Sequence, residues 1–231
     1  MRFFIFLLIP AFLVWAIVEL SLTIYTQPKP VAAHIGDAFG PACGKPTIDG
    51  EVTSGEWSTA SKQTFLMQRV DPPTQMTATF FVMNSANNLY LGFTIDDNEF
   101  TTVGQFLPQG DELNIYFDND HSGTLFALDD DVIVSSAGLP QFSDRFIVGN
   151  PAPTTHEADV DNGGITDGAS VASRVDNKNN FELEHPLCSG DSLDFCLHTS
   201  DVVGFSLRYL DVEANGDFGG VYIFLDTSDT S

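Results

Sequence analysis

Apolar and polar residues alternate along short runs through most of this chain, and the runs end in clusters of Asp, Asn, Gly, Ser or Pro. "NLYLGFTID" sets Leu89, Leu91, Phe93 and Ile95 on one face, and "DELNIYF" does the same with Leu113, Ile115 and Phe117. Successive side chains of a strand point to opposite faces, so each run reads as a half-buried strand. Comparable runs are "QTFLMQRV", "MTATFFVMN", "DVIVSS", "DRFIVG", "NNFELEHP", "VGFSLRYLD" and "GGVYIFLD"; within the last, "VYIFL" is apolar on both faces, as in a strand covered on both sides. Beyond the N-terminal segment no stretch of 12 or more residues has helical spacing. About nine or ten strands joined by turns predict an all-β fold, an antiparallel, jelly-roll-like β-sandwich around one core. The 20 phenylalanines, most of them in these runs, supply that core.

The first residues obey a different rule. Arg2 precedes "FFIFLLIPAFLVWAIV", a basic start followed by an uncharged, mostly apolar run from Phe3 to Val18. Two readings stand side by side. "PVAA" places Val31 and Ala33 where a signal peptidase prefers small residues, releasing a chain that begins at His34. Alternatively the apolar character continues to Tyr25 and approaches the roughly 20 residues that cross a bilayer, carrying Glu19 and Pro10 with it. The expected organisation is residues 1–33 as signal peptide or membrane anchor, 34–44 as linker and 45–231 as the sandwich. Either reading puts the sandwich outside the cytoplasm, secreted or at the cell surface, with a membrane as partner only if the segment is retained.

Without Glu19, Arg2 and Lys29, 31 acidic residues face 7 basic ones, a net charge of −24. Such a field repels nucleic acid and anionic lipid and attracts divalent cations. A generic acidic coat would give the same total, so placement of the carboxylates decides. "FDNDHSGTLFALDDD" places Asp118, Asp120, Ser122, Gly123, Thr124 and Asp129 at positions one, three, five, six, seven and twelve of a twelve-residue calcium loop. Side-chain oxygens at alternate positions, a carbonyl from Thr124 and a sharp turn at the glycine are what a calcium ion's six to eight oxygen ligands require. Asp, Asn, Ser and Gly are also ordinary turn residues. Two weaker echoes are "DVDNGG", with Asp159 and Asp161, and "DVEANGD", with Asp211, Glu213 and Asn215. Asp96 to Glu99, "DDNE", ends a strand and is a candidate for a site assembled from separate loops. The expected cofactor is Ca2+.

Three cysteines occur in what reads as an exported chain. Cys188 and Cys196 can close the short loop "CSGDSLDFC" with Cys43 left over, although pairings of Cys43 with either remain open from sequence. No HExxH, GxSxG, P-loop or dinucleotide fingerprint is present, and no enzymatic activity is expected. The loop from Asn150 to Ala169 is long enough to be functional, and it carries Asp159, Asp161 and Asp167.

"PTIDGEVTSGEWSTA", "NLYLGFTIDDN", "DELNIYFDNDHSG" and "FELEHPLCSGDSLDFCL", in that order, resemble the DOMON-like β-sandwich superfamily that includes family 9 carbohydrate-binding modules. The likeness spans about Cys43 to Asp226. It implies an all-β domain, often with structural calcium, that binds sugars or, in some branches, haem. Sugar binding in such modules relies on aromatic rings, tryptophan foremost. Here Trp57 falls in the part of the motif that packs inward, which leaves Tyr90, Tyr116, Tyr209 and Tyr222 as the candidate stacking platform. A methionine and a histidine would hold haem, with Met67, Met76 and Met83 and His156 or His185 formally available. The leading expectation is an exported, calcium-stabilised, carbohydrate-binding module at the cell surface. The alternative is a structural subunit of a fibre, sheath or membrane-anchored assembly, a homo-oligomer bridged to neighbouring subunits by strand edges or calcium.

Overall fold

The computed structural model describes residues 40–69, 74–102, 110–119, 127–149, 155–198, 201–213 and 218–224. The N-terminal segment therefore lies outside the described residues. Contacts divide the chain into Met1–Ala33 and His34–Ser231, and all described residues belong to the second unit.

Among the described residues twelve strands occur in chain order: β1 (Ala42–Cys43), β2 (Ser61–Arg69), β3 (Thr74–Asn84), β4 (Asn88–Ile95), β5 (Glu112–Asp118), β6 (Asp131–Ser136), β7 (Phe142–Ile147), β8 (His156–Ala158), β9 (Ala169–Val175), β10 (Lys178–Pro186), β11 (Gly204–Val212) and β12 (Phe218–Phe224). The described residues contain no α-helix, only a 3-10 turn at Asp159–Asn162. The hydrogen-bonded path runs β8-β7-β6-β5-β11-β12-β2-β3-β4-β10-β9, with β1 beside β3. Every pairing is antiparallel except that of β1 with β3. β12 meets β2 through a single register pair, Ile223 with Gln68, and there the path folds into two layers. The first sheet is β8-β7-β6-β5-β11-β12 and the second is β2-β3-β4-β10-β9, so the expected β-sandwich is observed.

All nine runs read from alternation are strands. Three further strands escaped it. β1 is two residues long, β8 and the 3-10 turn occupy the segment read as one long irregular loop, and β9, "ASVASRV", has too little apolar contrast to stand out. β9 forms because its neighbour supplies the ladder: it pairs with β10 through a two-residue turn at Asp176 and Asn177, both with positive φ. Asp and Asn tolerate that left-handed backbone, which suits the twist of a tight hairpin.

The core lies between the layers. Leu91, Phe93 and Ile95 from β4, Leu113, Ile115 and Phe117 from β5, Phe181 and Leu183 from β10, and Leu207 and Tyr209 from β11 are all buried in one cluster. Phe80 of β3 stacks on Phe93 at 4.8 Å and tilts against Phe205 of β11 at 5.2 Å, which joins the second sheet to the first. Phe181 meets Tyr209 edge-on at 6.0 Å. Each such ring, fully buried, contributes about 1.5–3 kcal/mol by its removal from water.

The outer face of the second sheet is covered by the segment before β2. Trp57, 3% exposed, packs with Met83 and Tyr90 and is joined by Ile48, Val52 and Phe81. The outer face of the first sheet carries its own small cluster, Tyr116, Val132, Val134 and Ile147.

Candidate functional site

The inward-facing rows of the strands do not end in apolar residues. Leu89, Leu91, Phe93 and Ile95 continue in phase to Asp97, and Leu207 and Tyr209 continue to Asp211. Asp111 precedes Leu113 by two, Asp131 precedes Ile133 by two, Asp144 sits between Phe142 and Phe146, and His185 follows Phe181 and Leu183. The same alternation that buries the rings therefore buries acids at the ends of the sandwich. Two groups of ligand-bearing side chains result.

The first group is Asp97, Asp111 and Asp211, all buried, with ligand atoms within 4.8 Å of one another. Asp111 Oδ2 accepts from Thr101 N at 2.9 Å and from Asn179 Nδ2 at 3.1 Å, while its Oδ1 accepts from Val212 N at 2.9 Å. Tyr209 Oη donates to Asp97 Oδ2 at 2.7 Å and accepts from Asn179 Nδ2 at 2.9 Å. Burial pushes Asp111 up to about 6, against the opposing pull of the Val212 and Thr101 amides. Asp211 is pushed up to about 7 by burial and then by the charges of Asp97 and Asp111. The tyrosine is driven well above its ordinary value by burial and these same carboxylates.

The second group lies between β6 and β7 of the first sheet and β10 of the second. Asp131, Asp144, Asp194 and His185 are all buried and place one ligand atom each within 4.8 Å of the others. Asp159 and Asp191 form an adjoining triad with Asp194. His185 Nε2 lies 3.1 Å from Asp167 Oδ1, 3.4 Å from Asp144 Oδ2 and 4.0 Å from Asp194 Oδ2. His185 Nδ1 donates to the Pro186 carbonyl at 2.8 Å, since a carbonyl can only accept. Burial pulls the imidazole down, but Asp144, Asp131 and Asp167 outweigh it and raise its value to about 9. Asp131 is raised well above its ordinary value by burial, with His185 opposing and Asp144 and Asp194 adding to the rise. Asp159 and Asp167 are raised for the same first reason, burial.

Asp194 and Asp191 reach this place on a loop closed by the Cys188–Cys196 disulfide, the pairing that keeps Cys43 free and exposed. Within the loop Ser189 Oγ donates to Asp194 Oδ2 at 2.5 Å, and Asp191 Oδ2 accepts from Ile165 N at 2.6 Å. A third carboxylate group, Asp49, Glu56 and Glu182, differs. Glu182 Oε1 accepts from Trp57 Nε1 at 2.6 Å, and its Oε2 accepts from Asp49 N and Gly50 N at 2.9 and 2.8 Å, so both oxygens are occupied by donors.

Of the residues read as metal ligands, Asp159 and Asp211 fall in these groups. Asp118, Asp129, Asp161 and Glu213 belong to no such group among the described residues, and Asp120, Ser122, Thr124 and Asn215 lie outside them. Asp129 is exposed with φ +69°, at the turn into β6. Its neighbour Asp130 closes that turn, accepting from Ala127 N at 2.8 Å and Asn119 N at 3.3 Å. The next acid, Asp131, is the one that faces inward. Spacing along single loops reached Asp159 and Asp211 but missed most of their partners, whereas the phase of acids against the apolar rows would have found Asp97, Asp111, Asp131 and Asp144.

The tyrosine platform is corrected by burial. Tyr90, Tyr116 and Tyr209 are 1%, 2% and 0% exposed, so none offers a ring face to a sugar. Tyr209 is core, Tyr90 packs under Trp57, and Tyr116 stands on the outer face of the first sheet. The Tyr222 backbone pairs with Tyr209, and its side chain lies outside the described atoms. Burial pushes Tyr116 up to about 12, with Arg208 and Arg145 opposing. Around it are Arg145, which donates to Ser143 Oγ at 2.8 Å and lies 3.2 Å from His156 Nδ1, and Glu112, which accepts from Asn114 Nδ2 at 2.9 Å. The methionines considered for haem fill packing positions, Met67 and Met76 in the core and Met83 beside Trp57.

No protein-family model matches the chain, and no curated protein does. Solved structures do. A family 9 carbohydrate-binding module from Caldicellulosiruptor kristjanssonii in complex with cellotriose superposes with a TM-score of 0.53 at 16% identity, over 79% of this chain and 81% of that one. The same kind of module from that organism in complex with glucose gives a TM-score of 0.53 at 16% identity, covering 79% of this chain and 83% of that one. The fold is thus that of a family 9-like β-sandwich, as the order of motifs implied.

Proposed function

We propose that this chain is a non-catalytic module that binds carbohydrate, acts outside the cytoplasm and is held in shape by calcium. The observation that carries the carbohydrate reading is the sandwich itself, shared over most of its length with modules solved around cellotriose and glucose. The supporting chemistry is the placement of charge: carboxylates are concentrated at the buried ends of inward-facing rows, where a divalent cation neutralises them and fixes the connecting segments. A preorganised sandwich then meets its ligand with little ordering cost. With Tyr90, Tyr116 and Tyr209 buried, stacking on a sugar ring does not fall to these three side chains.

The test is a glycan array probed with the full chain, followed by calorimetric titration of cello-oligosaccharides in calcium and in excess chelator. Saturable binding to a defined glycan, weakened when calcium is removed, supports the reading. A chain that retains no glycan under either condition is not a carbohydrate-binding module.

A further inference from the structure

Most of the carboxylate oxygens gathered around His185 lack the donors that buried carboxylates ordinarily have. Both oxygens of Asp131 and of Asp159, together with Asp144 Oδ1 and Asp194 Oδ1, are buried without a hydrogen-bond donor. Asp131, Asp144 and Asp159 are 0% exposed. Contrast Asp111 and Glu182, equally buried, whose oxygens each accept from amide, indole or side-chain N–H groups. A buried charge without a donor or counter-ion costs several kcal/mol, so such acids must hold protons or face a cation. His185 brings at most one positive charge to them, and its Nδ1 proton is already given to Pro186.

The convergence is also wide. Asp131 comes from β6, Asp144 from β7, His185 from β10, Asp159 from the start of the 3-10 turn, and Asp194 from the disulfide-closed loop. Four of these, from both sheets and that loop, point ligand atoms at a common space less than 4.8 Å across. Gly164 lets the adjoining acids approach its backbone closely, since a Cβ there would stand 2.5 Å from Asp191 Oδ2 and 3.0 Å from Asp159 Cβ.

We propose that this cluster is a divalent-cation site, with Asp131, Asp144 and Asp194 as its carboxylate ligands, Asp159 adjoining and His185 Nε2 at its wall. Carboxylates outnumber the single imidazole, so the site selects a hard, oxygen-preferring ion, calcium ahead of zinc. Bound there, the ion ties the two sheets and the Cys188–Cys196 loop together at one end of the sandwich. The inference rests on the calcium part of the proposed function and moves the ion from the Asp118–Asp129 loop into the fold; it is independent of the carbohydrate part.

Calcium equivalents and affinity are measured by calorimetry on the full chain after chelator stripping, for wild type, D131N/D194N and D118N/D129N. D131N/D194N is expected to lose one equivalent, or to bind it more than tenfold more weakly, and to lose the rise in melting temperature that calcium gives. Because the change removes two buried carboxylates, Asp131 with no donor on either oxygen and Asp194 with one oxygen unpartnered, its melting temperature in chelator should match or exceed that of wild type. D118N/D129N should keep that equivalent. Wild-type stoichiometry and affinity in D131N/D194N would overturn the site, as would a preference for zinc over calcium at the equivalent it removes.

Should D131N/D194N fail to fold, Mn2+ added to wild type decides. Paramagnetic broadening centred on the His185 ring supports the site, and broadening centred elsewhere overturns it. If wild type binds no divalent ion, the calcium reading and this site fall together. If glycan binding is absent but the cation is present, only the carbohydrate reading falls.

Discussion

Trp57 donates its indole N–H to Glu182 Oε1 at 2.6 Å, joining positions 125 residues apart in sequence. Glu182 stands on the outer face of β10, opposite Gly92 of β4, and takes two further bonds from the Asp49 and Gly50 amides. Burial raises Glu182 above its ordinary carboxylate value, opposed by the Trp57 bond and then by the two amides. The "PTIDGEVTSGEW" segment is thereby clamped over the second sheet. Trp57→Phe keeps most of the ring packing and removes the donor. A loss of about 1–3 kcal/mol is expected from leaving a buried acceptor unmade. Urea unfolding of the variant checks it; an unchanged midpoint would show that the indole bond contributes nothing.

Gly92 lies directly beneath that indole. A Cβ at this position would stand 3.2 Å from Trp57 Cη2 and Cζ2. Gly92→Ala should lift the ring off the sheet and destabilise by about 1–3 kcal/mol, as overpacking does. Trp57 fluorescence should shift toward the red as the ring gains water. A variant as stable as wild type with unshifted emission would show that the segment yields freely.

The disulfide spans 8 positions of sequence. Closing so short a loop removes little chain entropy, and the expected loss in Cys188→Ser/Cys196→Ser is about 2–3 kcal/mol in protein stability. The same loop presents Asp191 and Asp194, so calcium affinity should fall as well. Measuring the midpoint with and without calcium separates the two effects. Equal losses in both conditions would mean that the loop carries no ligand.

Stripped of metal, the protein should become more stable as pH falls from about 8 to 5. Asp111 and Asp211 have folded-state values of about 6 and 7, above the ordinary 3.8, so across that window the folded form binds more protons than the unfolded one. Stability therefore declines with rising pH through those values. His185, at about 9 instead of 6.5, adds stability below its unfolded value that is lost as pH rises through its folded one. Each kcal/mol moves the melting temperature by about 2–4 °C in a domain of this size. Calcium competes with the protons, so its addition should flatten or reverse the slope. Melting temperatures at pH 5, 6.5 and 8 in chelator test this, and a rise toward alkaline pH would sink it.

Alternation alone determined the fold class here, because a strand with one buried face must repeat every second residue, and nine such runs leave a sandwich as the economical way to bury them. The burial of Trp57 followed instead from the resemblance of the "GEW" motif to the family pattern. Alternation also carried, unused, the phase that puts Asp97, Asp111, Asp131, Asp144 and Asp211 on the inward rows. The local spacing of Asp118 to Asp129 carries no such phase, since Asp is an ordinary turn residue. Only the tertiary structure decided which acids meet. Asp131 and Asp144 come from one sheet, His185 from the other and Asp194 from a cross-linked loop, and their distances follow from how the sheets stack and not from any spacing along the chain. The tyrosines show the same limit: alternation gives a side chain its face, but what covers that face is set by segments far away in sequence, as Trp57 covers Tyr90.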